Sequence, residues 1–168
     1  MNYAFDAMVF AREVHKTQFR KYSGNYYSDH LAEVAGIVAT VTHKWPGFED
    51  AMISAAWLHD SVEDVGVQPL DLAARFGPTI AAGVTLLSDL EEGNRAERKA
   101  LSRQRLAGAP GWVQTVKCAD LISNTSSIVL HDPNFAVRYL HEKRQLLEVM
   151  EAADRNLWEL AMHQAWQA

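Results

Sequence analysis

A run of small apolar residues, Ala51-Met52-Ile53-Ser54-Ala55-Ala56-Trp57-Leu58, leads without a break into His59-Asp60-Ser61-Val62-Glu63-Asp64. So little polarity belongs to a helix buried in a core, and a buried helix that ends in acids carries charge to where charge is expensive. Either the acids lie beyond the last buried turn, in solvent, or something inside neutralises them, and a divalent cation would do so. If the helix continues, His59 and Glu63 share one face, as do Asp60 and Asp64, because each pair is four residues apart. Imidazoles and carboxylates serve both as metal ligands and as general bases. The hexapeptide therefore points to a metal-hydrolase centre, with a solvated helix end as the plain alternative.

The rest of the chain also has helical spacing. Ala4, Ala7, Met8, Phe10, Ala11 and Val14 form an apolar stripe, and Leu31, Val34, Ala35, Ile37 and Val38 form another on a helix expected from about Asp29 to His43. Pro69 opens a short helix through Phe76. Gly77-Pro78 is a stop followed by a start. Asp132-Pro133 is a cap with proline at the first helical position, and Asp154 is a candidate cap for the last helix. No segment alternates over five or more positions as a half-buried strand must. The expected fold class is all-α: a single compact helical bundle of about seven to nine helices spanning residues 1–168.

Composition sets limits on function. A length of 168 residues with 48% hydrophobic and 22% charged content suits one globular domain. The formal charge of −5 argues against a nucleic-acid binder, though not against a local basic pocket for a small anion. Cys118 is the one cysteine, so no internal disulfide is possible and a reducing, cytoplasmic setting fits. Asp6, Arg12 and Glu13 interrupt the N-terminal apolar residues, so no signal peptide is expected, and no apolar run is long enough for a membrane span.

Two further clusters carry chemistry. In Lys117-Cys118-Ala119-Asp120-Leu121-Ile122-Ser123-Asn124, Asp120 and Asn124 are four apart and need polar partners if buried; a surface stripe is the alternative. In Arg20-Lys21-Tyr22-Ser23-Gly24, a guanidinium and an ammonium beside a glycine-containing loop suit phosphate, while His30 beyond it reads, alone, as a helix-start residue. Arg95, Arg98, Lys99 and Arg103 fall on one expected helix, either facing the site or forming a solvated basic face. Cys118 has no evident activating partner and is expected to be buried and inert.

Taken together these stretches have an order: Arg-Lys-x-Ser-Gly with a following His, then His-Asp-x-x-Glu-Asp, then Lys-x-Ala-Asp-x-x-x-Asn. In that order and spacing the chain resembles the HD-domain hydrolases of the RelA/SpoT family, in particular the small stand-alone alarmone hydrolases, including the animal Mesh1 type. The resemblance runs from about Ala4 to beyond Lys143. It implies an all-helical fold binding one Mn²⁺ through His30, His59, Asp60 and Asp120. It gives Glu63 and Asp64 the role of positioning or deprotonating the attacking water, and it makes Arg20, Lys21, Asn124 and Tyr139 substrate contacts. Arg95 and Lys99 are expected to add positive charge around the phosphates. The implied reaction is removal of pyrophosphate from the ribose 3′ position of guanosine tetra- and pentaphosphate, or of adenosine analogues.

Some positions depart from the family. Gly24-Asn25-Tyr26-Tyr27 and His30-Leu31 stand where members often have Gly-x-Pro-Tyr and His-Pro. Phe135 stands where the Mesh1 type has an arginine, a role Arg138 or Lys143 would have to take over. The metal set is untouched, and base choice and phosphate number are left open. The expected partner is a small phosphorylated nucleotide, with no nucleic acid and no membrane, and Trp158 and Trp166 are candidates for a homodimer contact. At this length the chain is expected to degrade alarmone without making it. The rival readings are a phosphatase for NADPH or a nucleoside monophosphate, and an inactive alarmone-binding sensor. Intact Glu63 and Asp64 weigh against the sensor, since binding alone needs no water-activating pair.

Overall fold

The computed structural model describes residues 2–167. Among these are nine α-helices, one 3₁₀ turn and no strand, which meets the all-α expectation at the upper end of its helix count. The chain forms two compact units, Met1–Ser88 and Asp89–Ala168.

The first unit is built around α3 (Glu49–Leu58), which packs against α1 (Ala4–Val14), α2 (Tyr27–Ala39) and α5 (Pro78–Leu87). Small residues make this possible: Ala55 and Ala56 on α3 and Ala7 and Ala11 on α1 are fully buried, so the helices approach closely. Asp50 at the start of α3 accepts from the Tyr3 and Ala4 backbone N–H groups at 2.9 Å each, satisfying donors that the start of α1 leaves without helical partners. α4 (Pro69–Phe76) and α5 meet at Gly77, whose φ of +85° ends one helix and begins the next, a conformation glycine adopts without strain. The expected Asp29–His43 helix is shifted. α2 begins at Tyr27 and ends at Ala39, where Thr40 Oγ1 turns back to the Ile37 carbonyl at 2.7 Å and a 3₁₀ turn, Thr42–Lys44, follows. Side-chain competition for a helical carbonyl is the physical reason.

The second unit is organised by α7 (Gly111–His131), whose N-terminal half is buried nearly all round from Trp112 to Cys118 and on to Asp120. α8 (Pro133–Leu147) and α9 (Arg155–Gln167) pack on it and on each other, and α6 (Arg95–Ala107) packs on α8. Both expected caps are present: Asp132 accepts from Phe135 N at 3.1 Å, and Asp154 accepts from Asn156 N and Leu157 N at 3.0 and 3.2 Å. α6 starts with a capping box between Asn94 and Glu97. Among the described residues no helix is long and apolar enough to cross a membrane.

Candidate active site

The first unit gathers three side chains that could hold a metal ion. His30 lies in the first turn of α2, and His59 and Asp60 follow the end of α3. One atom from each lies within 4.8 Å of the others. His59 Nε2 is 2.9 Å and His30 Nε2 is 3.6 Å from Asp60 Oδ2, and the two imidazole rings meet edge to face at 5.3 Å. His59 Nδ1 is 2.8 Å from the Ala56 carbonyl, to which it can only donate, so the lone pair of the neutral ring is on Nε2, the atom that faces Asp60. Two imidazoles and a carboxylate form a mixed nitrogen and oxygen donor set that suits Mn²⁺, Fe²⁺ or Zn²⁺, so these residues fit a divalent cation.

His59–Asp64 is not a continuation of the helix. α3 ends at Leu58, and residues 59–65 form successive turns. Ser61 is the cause: its Oγ and its backbone N–H both donate to the Leu58 carbonyl, at 2.6 and 2.9 Å, and tighten the chain. Asp60 and Asp64 stay linked by one helical-type bond, Asp64 N to Asp60 O at 2.9 Å, before Gly66 turns away at φ +73°. The buried helix therefore delivers His59 to the interior at 1% exposure, while Glu63 and Asp64 stand on the exposed side of the turn.

Two residues outside the expected set hold this cluster. Tyr27 donates its hydroxyl to Asp60 Oδ2 at 2.7 Å, and Gln18 Nε2 donates to Asp64 Oδ2 at 2.7 Å. The signals for Tyr27 in the sequence are its place one helical turn before His30 and its match to the tyrosine of the Gly-x-Pro-Tyr pattern. Arg20 and Lys21 occupy a small hairpin closed by Arg20 N to Asn25 O at 2.8 Å, with Gly24 at φ +71° and a bridge between Phe19 and Tyr26. Arg20 is drawn toward Glu33 at 3.6 Å, and Lys21 is exposed beside the Tyr22 ring.

The second unit holds a cavity of about 180 Å³ whose lining includes Asp120, Asn124, Tyr139, Arg95 and Lys99. Five of the expected site residues are thus brought together there. Asp120 is 5% exposed; its carboxylate accepts from Lys117 Nζ at 2.8 Å and from Asn124 Nδ2 at 2.7 Å. Both groups that α7 places at helical spacing are therefore partnered, and the surface-stripe alternative is removed. Tyr139 places its hydroxyl 3.4 Å from Thr125 Oγ1 and from the Leu121 carbonyl, and burial pushes its phenol well above the ordinary range.

Two of the expected basic residues of α6, Arg95 and Lys99, are already paired with acids. Arg95 makes two bonds of 2.7 Å to Glu142, which hold that carboxyl below its usual range. Lys99 donates to Asp89 at 3.0 Å. Burial pushes the Asp89 carboxyl up, but the charges of Lys117 and Lys99 and hydrogen bonds from Lys99 and Ser102 outweigh it, so it stays well below the ordinary carboxylate range. Arg103 reaches Gln145 at 3.3 Å, and Arg98 is exposed. Lys143 lies in the cavity wall at 2% exposure, its ammonium pushed down to about 7 by burial. Cys118 is fully buried, its thiol pushed up to about 12 by burial, which agrees with an inert residue.

The chain is similar to known proteins in both sequence and structure. The family model described as the HD domain matches residues 7–110. A probable guanosine-3′,5′-bis(diphosphate) 3′-pyrophosphohydrolase of Synechocystis is 32% identical over 146 residues, covering 83% of this chain and 18% of the relative. The corresponding hydrolase MESH1 of Xenopus tropicalis is 28% identical over 119 residues, covering 71% of this chain and 65% of that protein. The chain spans about a fifth or less of the length of the long curated relatives it matches. A solved structure titled as a metazoan ortholog of SpoT that hydrolyzes ppGpp superimposes with a TM-score of 0.85 at 22% identity, over 99% of this chain and 95% of the other. A Listeria monocytogenes protein superimposes at 0.70, also at 22% identity, over 87% of this chain and 98% of the other.

Proposed function

The chain belongs to the HD-domain family, and from that premise we propose that it is a cytoplasmic, Mn²⁺-dependent hydrolase that removes the 3′-pyrophosphate of guanosine tetra- and pentaphosphate. The observation that carries this reading is the convergence of His30, His59 and Asp60, with the His59 tautomer fixed so that Nε2 is the ligand atom. The relatives named for this reaction support it. Asp120 is assigned as the fourth protein ligand on the order of the motifs alone. Residues 1–168 act as one domain on this reading, supported by a family match that runs past the end of the first unit at Ser88.

The chemistry divides among named side chains. A divalent cation held by His30, His59, Asp60 and Asp120 would supply a Lewis acid that lowers the pKa of water and stabilises charge on phosphorus. Glu63 and Asp64, acids on the turn that follows the ligands, orient the attacking water and accept its proton. Arg20 and Lys21 hold phosphate oxygens, Arg by paired hydrogen bonds and Lys as a point charge. Asn124 and Tyr139 border the nucleoside. Arg95 and Lys99, held by Glu142 and Asp89, line the same cavity and reach phosphate oxygens only by sharing their hydrogen bonds with those acids.

The test is a product assay on the full chain. Guanosine tetraphosphate with Mn²⁺ should give GDP and intact pyrophosphate in equal amounts, with turnover lost in excess chelator and restored by Mn²⁺. Release of single orthophosphates would replace this reading with a phosphatase. Tight binding without product in metal-loaded protein would replace it with a sensor.

A further inference from the structure

Gln18 occupies the bend after α1, three residues beyond His15, and its amide is held at both ends. Gln18 Oε1 is 2.5 Å from His15 Nδ1, and Gln18 Nε2 is 2.7 Å from Asp64 Oδ2. An amide oxygen can only accept, so Nδ1 of His15 carries the proton. Turning the amide over would face N–H against N–H at one end and oxygen against carboxylate at the other. The Asp64 carboxylate, which can only accept, sets the orientation from the surface of the turn, and the buried ring at 1% exposure meets it in the matching tautomer.

The same ring supports the metal-ligating side of the cluster. His15 stacks on Tyr27 with ring centres 5.3 Å apart and planes 23° apart, and Tyr27 is the residue whose hydroxyl holds Asp60. One buried imidazole thus underlies two polar arms: Gln18 to Asp64, and Tyr27 to Asp60. Asp64 would otherwise be an exposed carboxylate free to turn about its side-chain bonds. With Oδ2 held by Gln18, Oδ1 keeps no hydrogen-bond partner among the described residues and remains open to accept a proton.

We propose that Gln18 is a positioning residue that aims the Asp64 carboxylate, with His15 locking the Gln18 amide in the orientation that does so. The inference rests on the reading above that Asp64 handles the proton of the attacking water. Losing the hold on a reacting group by about an ångström costs on the order of 100-fold in rate. Gln18→Met, close in size but without the amide, is expected to lower kcat by about 10–100-fold with KM within about twofold of wild type. Asp64→Asn is expected to lower kcat at least as far. The double variant should be no slower than Asp64→Asn alone, because Gln18 acts only through Asp64. His15→Asn, whose amide nitrogen stands near the position of Nδ1, should retain more activity than His15→Ala. Thermal melting of each variant separates a folding loss from a positioning loss, and Gln18→Asn, too short to reach both partners, repeats the test if the methionine variant is unstable.

A readout without turnover checks the same contact in metal-free protein. The Gln18 side-chain amide proton signals in NMR should shift on Asp64→Asn, and the Asp64 carboxyl carbon should shift on Gln18→Met. Normal kcat in Asp64→Asn would sink the general-base reading itself. A slow Asp64→Asn beside a Gln18→Met of wild-type kcat, or losses that multiply in the double variant, would overturn the positioning role and leave that reading standing.

Discussion

Tyr27 hydrogen-bonds Asp60 Oδ2 at 2.7 Å, and that same oxygen is the one His59 Nε2 approaches at 2.9 Å. The phenol therefore fixes the carboxylate that joins the two imidazoles. Groups that orient a metal ligand in this way change metal affinity by about 10–100-fold when removed. Tyr27→Phe keeps the ring between His15 and His30 and deletes only the hydroxyl, so Mn²⁺ affinity measured by titration should fall by about that factor while the melting temperature changes little. Unchanged affinity would remove Tyr27 from the support of the site.

Lys21 is exposed, and its contacts are with its own neighbour Tyr22, so its loss should not disturb the fold. If it holds a phosphate, Lys21→Ala forfeits a charge-assisted hydrogen bond worth about 1.5–3 kcal/mol. KM for guanosine tetraphosphate should rise by about 10–100-fold with stability unchanged. Equal KM in both proteins would take this loop out of the site.

Lys143 makes stability depend on pH. Its Nζ donates to the neutral acceptors Thr125 Oγ1 and Gln164 Oε1, at 2.7 and 3.0 Å, and burial lowers it from 10.5 to about 7. Between those values the unfolded chain holds a proton that the folded chain lacks, so this residue's contribution to stability rises with pH across that window. Below about 7 the cost of the buried charge is fully present. The stability of Lys143→Met relative to wild type should therefore be most favourable below pH 7 and decline as pH rises, read from denaturant unfolding at several pH values. A difference that does not vary with pH would show that the ammonium is not desolvated.

Cys118 has no exposure, and its thiol stays protonated because burial pushes it up to about 12. Alkylating reagents should leave it unmodified in native protein at pH 8 and label it fully in denaturant, as mass spectrometry would show. Rapid labelling of the native protein would contradict the packing around α7.

Much of this was legible because local chemistry wrote it. Helical spacing announced α1 and α2, and Asp132 and Asp154 announced the helix starts they cap. The apolar run ending at Leu58 announced that a buried helix leads into His59 and Asp60. What escaped was long-range or competitive. The two bonds from Arg95 to Glu142 join residues 47 apart in sequence, and nothing near Arg95 signals that its charge is already met. The same holds for Gln18, tied to Asp64 across 46 residues. The helix expected through Asp64 fails at Ser61, whose hydroxyl competes for a helical carbonyl, a choice decided by the turn as a whole.

The most direct measurement of the central claim is hydrolysis of guanosine tetraphosphate in ¹⁸O-labelled water by the Mn²⁺-loaded chain, with both products weighed by mass spectrometry. Attack of water on the phosphorus next to the ribose 3′ oxygen breaks that P–O bond. One labelled oxygen should then appear in pyrophosphate and none in GDP. Labelled orthophosphate, or label on the nucleoside, would contradict it.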